Sequence, residues 1–315
     1  MTKTLRTLLV ALLVAGSAVL AVNCNKSEDN NPVTPNPPTL YAPTNLRAYS
    51  ASQTSVGLLW DLSSSESDTA FRYYQVTAVS PAGVPVAALP VAKGSVSTVV
   101  PGLTEGVIYR FVVRAAGTGI FSADSASVLW SPAKRLTTDN VNGPPIQVYE
   151  FNSTLGASGL QFYSAAGAAM TQSLSRNNPD RVLADLYLAS NQDGSISLND
   201  ISLVLSGSKS THLSTVTRDA TDFNDPQLAP PDASTYTLLT YTIPSSVASV
   251  SKILYAKSVT DNHFVRILLQ KNAGTNLLYS GSTPDRYITI QLSYQDTTGN
   301  MYCKPPQSWL SSELR

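Results

Sequence analysis

The stretch Tyr109-Arg110-Phe111-Val112-Val113-Arg114-Ala115 puts Tyr109, Phe111, Val113 and Ala115 on one side of an extended chain and Arg110 and Arg114 on the other. A period of two marks a strand with one buried face, and a helix does not keep it. The alternation recurs at Val56, Leu58 and Trp60, at Tyr74 and Val76, and most regularly over 286–294. Nowhere does a long helical pattern interrupt it. Charged residues are only 13% of the chain, too few for helices with solvated charged faces, while Ser, Thr, Val, Leu and Tyr are abundant. The expected fold class is all-β.

The first residues read as an export signal. Lys3 and Arg6 precede an uncharged apolar run from Leu8 to Leu20. That run is short of the ~20 residues a spanning helix needs, so a cleaved leader over 1–23 is expected. It ends in Leu20-Ala21-Val22-Asn23-Cys24, which resembles a lipobox, with Asn23 departing from the usual small residue before the cysteine. The acidic tract Asn25-Lys26-Ser27-Glu28-Asp29 resembles the sorting signal of lipoproteins placed on the outer face of the outer membrane. Cys24 is therefore the expected lipidation site, and the membrane an expected partner through that lipid. Cys303, the other cysteine, would then stand single and be a small half-buried residue.

Basic and acidic residues balance at 21 each, and losing Lys3 and Arg6 with a leader leaves a slight acidic excess. No polybasic stretch occurs, which excludes a nucleic-acid surface. Prolines from residue 32 to 43 mark 24–41 as an extended tether. A second cluster of turn formers, ending in Pro144-Pro145, marks 138–145 as a linker. Two domains are expected, 42–137 and 146–315.

In the first, Pro43-Thr44-Asn45-Leu46, Ser55-Val56-Gly57-Leu58-Leu59-Trp60, Tyr74-Gln75-Val76 and Leu103-Thr104-Glu105-Gly106-Val107-Ile108-Tyr109 resemble the fibronectin type III pattern in order and spacing. The resemblance implies a β-sandwich with Trp60, Tyr74, Leu103 and Tyr109 as structural core, the Tyr109 hydroxyl bonding near a strand corner. It also implies a spacer or adhesive role, although no Arg-Gly-Asp tripeptide occurs.

In the second, strands are expected at 147–152, 182–188, 201–205, 236–243, 252–256, 264–270 and 287–294, forming an antiparallel sandwich or half-barrel. Residues 191–200 resemble part of a calcium loop, with Asn191, Asp193 and Asp200 as oxygen ligands and Gly194 at the turn. Ala189 stands where the first carboxylate belongs, and the flanks read as strands, so an Asp-Gly hairpin turn is the favoured alternative. The only histidines are His212 and His263. Residues 253–267 and 287–294 resemble the C-terminal part of HmuY-like haem-binding lipoproteins, which raises haem iron held between those two imidazoles as an alternative, while a histidine beside the Asp261-Asn262 turn is favoured as a solvated turn residue.

Asp185 is the one acid inside a strongly apolar segment, with a structural role expected through a turn backbone. Tyr149, Phe162, Tyr163 and Trp309 are candidates for a sugar-stacking platform, as in a glycan-active accessory protein, against the ordinary reading of such tyrosines as cross-strand packing. No nucleophile elbow, zinc-protease motif, P-loop or dinucleotide fingerprint occurs, and the chain is expected not to be an enzyme. Its ligand is left open among protein, glycan and haem, with neither haem nor calcium taken as a required cofactor.

Overall fold

The structure, a computed structural model, describes residues 38–227 and 230–301. Cys24, Cys303, Trp309 and the leader lie outside them. From Thr39 onward the described residues form one compact unit. Among the described residues it contains strands and short 3-10 turns and no α-helix.

The first eight strands are β1 (Thr44–Ser52), β2 (Ser55–Asp61), β3 (Tyr73–Val79), β4 (Pro85–Ala92), β5 (Ser97–Val100), β6 (Tyr109–Ala116), β7 (Ala126–Trp130) and β8 (Lys134–Leu136). The first seven form two facing antiparallel sheets, β1-β2-β5 and β4-β3-β6-β7. Trp60, Tyr74, Phe111 and Trp130 fill the space between them. Trp60 and Phe71 both meet the Tyr74 ring edge-on, at 5.5 and 5.0 Å. Such contacts add to the large apolar area these rings bury. The Tyr109 hydroxyl accepts the Thr104 backbone N–H at 3.0 Å, closing the corner where β6 begins. Removing it in Tyr109→Phe leaves that amide without its partner and should cost about 1 kcal/mol in a urea titration. An unchanged midpoint would show that the bond contributes nothing to stability.

The remaining strands are β9 (Ile146–Tyr149), β10 (Gly159–Gln161), β11 (Met170–Gln172), β12 (Leu186–Ser190), β13 (Ile196–Asp200), β14 (Thr211–Ser214), β15 (Arg218–Ala220), β16 (Tyr236–Leu238), β17 (Thr240–Ile243), β18 (Ser251–Ser258), β19 (His263–Leu269) and β20 (Tyr287–Gln295). A 5-stranded sheet, β11-β10-β12-β13-β17, faces an 8-stranded one, β16-β14-β18-β19-β20-β8, with β15 on β18 and β9 on β20. Strand β8 thus carries the chain out of the first sandwich and into the larger sheet, pairing Leu136 with Leu292. The segment 138–145 is a built turn: the buried Asp139 carboxylate accepts the backbone N–H groups of Val141 and Thr171.

The 8-stranded sheet is buried on both faces along β19, which is why Phe264–Leu269 is apolar at every position but the buried Arg266. Val265, Ile267 and Leu269 pack with Leu186, Leu188, Ile196 and Leu198 of the 5-stranded sheet. Phe264 and Leu268, on the other face, join the apolar cluster that continues into the first sandwich.

Three strand expectations are corrected. Residues 179–183 form a 3-10 turn, because Asn178 caps Asp180 and Pro179 presets the first position. Residues 201–203 form another, capped by Asp200 on the Ser202 N–H at 2.9 Å. The segment 236–243 breaks at Leu239, whose carbonyl takes the Asp200 N–H. Strand β16 pairs with β14 and β17 with β13, so the chain crosses there from one sheet to the other.

Candidate functional site

The register places the two histidines apart. His212 lies opposite Lys257, and Lys257 opposite Phe264; His263 lies opposite Ser258, and Ser258 opposite Thr211. Directly opposed residues share a face and neighbours along a strand do not. His212 and His263 therefore project from opposite faces of one sheet and do not come to a common iron. His212 donates from Nδ1 to the Tyr236 carbonyl at 3.2 Å. His263 bonds the Tyr294 hydroxyl through Nδ1 and lies 3.2 Å from the Thr298 hydroxyl through Nε2.

The calcium-loop residues do not converge either. Strands β12 and β13 form a hairpin whose turn end pairs Ser190 with Ile196 and whose far end pairs Leu186 with Asp200. Asp193, at the turn, accepts from the backbone and hydroxyl of Ser195. Asn191 donates to Ser195 and Ser197. Asp200 is at the other end of the strand, buried and capping a 3-10 turn. Among the described residues no three of His, Cys, Asp or Glu gather as ion ligands.

Asp185 is fully enclosed and accepts the Phe162 N–H at 2.8 Å. Burial pushes its carboxyl up to about 6, partly offset by the nearby Lys209 ammonium and by that N–H. It does not open onto the cleft described next.

Of the candidate platform aromatics, Phe162 is core, and Tyr163 stacks on Tyr294 at 4.9 Å beneath the Lys134 ammonium. Tyr149 pairs across strands with Tyr287, ring centres 5.0 Å apart. Tyr287 leads into a cleft of about 560 Å³ on the face of the 8-stranded sheet that carries Leu268. Its floor is the outward row Tyr287, Thr289 and Gln291 of β20 with Gln270 beside it, while Ile288, Ile290 and Leu292 point into the core. One wall is the 221–224 turn and the other the 271–280 loop with Tyr279.

Arg135 props the first wall. Its guanidinium donates to the Ser50 carbonyl and the Asn224 side chain, both at 3.1 Å, and lies 4.2 Å over the Phe223 ring. Lys271, on the second wall, donates to the Ser249 carbonyl and Asn276. The side chains of Gln270, Thr289 and Gln291 hydrogen-bond no other described residue. Sequence reasoning missed this site, although the polar period of Tyr287, Thr289 and Gln291 was there to be read.

Residues 41–129 match the family model described as fibronectin type III domain. The chain carries a fibronectin type III module. Solved structures similar to this chain include the fn3 domain of human collagen alpha-1(XX), at 20% identity over 30% of this chain and 88% of that one, with a TM-score of 0.26. Another is the FN5 domain of Drosophila Lar, at 17% identity over 30% and 97%, with a TM-score of 0.25. No curated protein matches the chain. The fibronectin module accounts for the first sandwich and suggests a binding or structural role.

Proposed function

We propose that this is a lipid-anchored envelope protein displayed at the outer face of the outer membrane, with the fibronectin module as spacer and the following sheets as a non-catalytic binding head. Cys24 stands where an apolar leader ends, and a proline-rich tether separates it from the folded unit. The observation that carries the reading is the open cleft on the 8-stranded sheet, held by Arg135 and floored in part by Gln270, Thr289 and Gln291, whose side chains hydrogen-bond no other described residue. A floor of amides and hydroxyls without a nucleophile–base pair suits binding rather than turnover.

Cys24→Ser tests the anchor. It should abolish labelling by radioactive palmitate and move the protein from the membrane pellet to the soluble fraction. Protease added to intact cells should degrade the wild-type chain. A native protein that retains Met1, or carries no lipid on Cys24, would remove the reading.

A further inference from the structure

We infer that the cleft floored by Tyr287, Thr289 and Gln291 is a binding site for an uncharged oligosaccharide. The inference rests on the binding-head reading and names its ligand class. A volume of about 560 Å³ lies within the ~300–1,000 Å³ of small-ligand sites. Alternation along β20 sets Tyr287, Thr289 and Gln291 in one row, at about 7 Å per step. That row is long enough for a short run of sugar rings.

Chemistry selects the ligand. The side chains of Gln270, Thr289 and Gln291 each offer both donor and acceptor capacity and spend none of it within the described chain. Sugar hydroxyls are donors and acceptors at once, and such amides and hydroxyls are their complement. Two tyrosines stand at the Tyr287 end of the row, since Ser280, next to Tyr279, pairs with Tyr287. Tyr287 is braced by Tyr149, and Tyr279 by the Arg286 guanidinium 5.5 Å from its ring centre. Braced rings offer fixed apolar faces to the C–H side of a pyranose with little loss of side-chain freedom.

An anion fits less well. The exposed Asp222 carboxylate lines the cleft and would repel it, and Arg135 and Lys271 already direct donors to the Ser50 and Ser249 carbonyls and the Asn224 and Asn276 side chains. An apolar ligand would leave the floor's amides without water or partner, which is costly.

The test is titration of the full chain, purified in detergent, with uncharged hexasaccharides of the gluco, manno, galacto and xylo series, read by tyrosine fluorescence. At least one should bind saturably. Gln291→Ala and Tyr287→Ala should each weaken that binding about tenfold, with Tyr287→Phe close to wild type and every variant still unfolding in one cooperative transition. Affinity should hardly change between about 50 and 500 mM salt, because no charge pairs with the ligand. Failure of every series to bind, full binding by both alanine variants, or a steep loss with salt would each overturn the assignment. Because these titrations use purified protein, they do not depend on the anchor. Loss of surface display with sugar binding intact would remove only the envelope reading.

Discussion

Replacing Glu150 by alanine should destabilise the chain by about 3–5 kcal/mol, the cost of leaving a buried charge without its partner. Glu150 is 1% exposed and Arg286 7%. The Arg286 guanidinium meets one carboxylate oxygen from Nε at 2.9 Å and from Nη2 at 2.6 Å. The other oxygen takes the Arg286 backbone N–H at 3.3 Å. Arg286 also donates from Nη1 to the Gly194 carbonyl at 2.6 Å, and Ser190 donates to the same carboxylate. One ion pair thus ties the end of β9 and the start of β20 to the Asp-Gly turn between β12 and β13. Without Glu150, the guanidinium would keep Gly194 and the Tyr279 ring but no counter-charge. For a chain of this size the loss should lower Tm by on the order of 10 °C, read by calorimetry. The double variant Glu150→Leu with Arg286→Met should recover most of it, since paired apolar groups avoid the desolvation penalty. A fall of under about 1 kcal/mol for Glu150→Ala would mean that water reaches the guanidinium.

That pair also shows where sequence reading stops. The Asp-Gly turn was visible as a hairpin signal, but nothing near Gly194 announces an arginine 92 positions away. Strands β6 and β20 were legible because one of their faces is buried, which writes the period of two into the residues. Strands β10 and β11 are three residues each, too short to carry a period. The run at 182–188 was misread for the opposite reason. It is apolar without alternating, and Asn178-Pro179 just upstream supplied the cap that turned its start into a 3-10 helix. The histidines could not have been resolved from the sequence at all. Whether His212 and His263 share a face depends on the parity of two registers, β14 on β18 and β18 on β19, and shifting either by one residue would reverse the answer. The cleft hid in the same way. Alternation shows that Tyr287, Thr289 and Gln291 face outward; only the fold shows that Arg135 and Phe223 raise a wall beside them.

The stability of the wild-type chain relative to Asp185→Asn should fall by about 3 kcal/mol between pH 3 and pH 7.5. The Asp185 carboxyl ionises near 3.8 when solvated and at about 6 in the fold, because burial penalises the charged form. At about pH 3 and below it is largely protonated in both states, and the folded chain carries almost no penalty from it. Across the window from 3.8 to about 6 the unfolded chain releases the proton first, so folding must hold a proton that solution would take. Stability from this group is therefore complete below the lower value and lost as pH rises through the upper one. Asparagine cannot titrate, yet its side-chain oxygen can still accept the Phe162 N–H that Asp185 accepts at 2.8 Å. A constant offset from its extra N–H groups would not alter the pH dependence of the difference. The companion charges moderate the effect without reversing it. Lys209 favours the ionised form, but its ammonium is also bonded to Asp261 at 2.9 Å, and Asp200 and Asp261 push the other way. Urea titrations of both proteins at half-unit pH intervals would read the difference. A difference that stayed flat across the window, or grew in favour of the wild type as pH rose, would show that Asp185 is ionised in the fold at neutral pH without cost, and that Lys209 and the Phe162 amide fully compensate its burial.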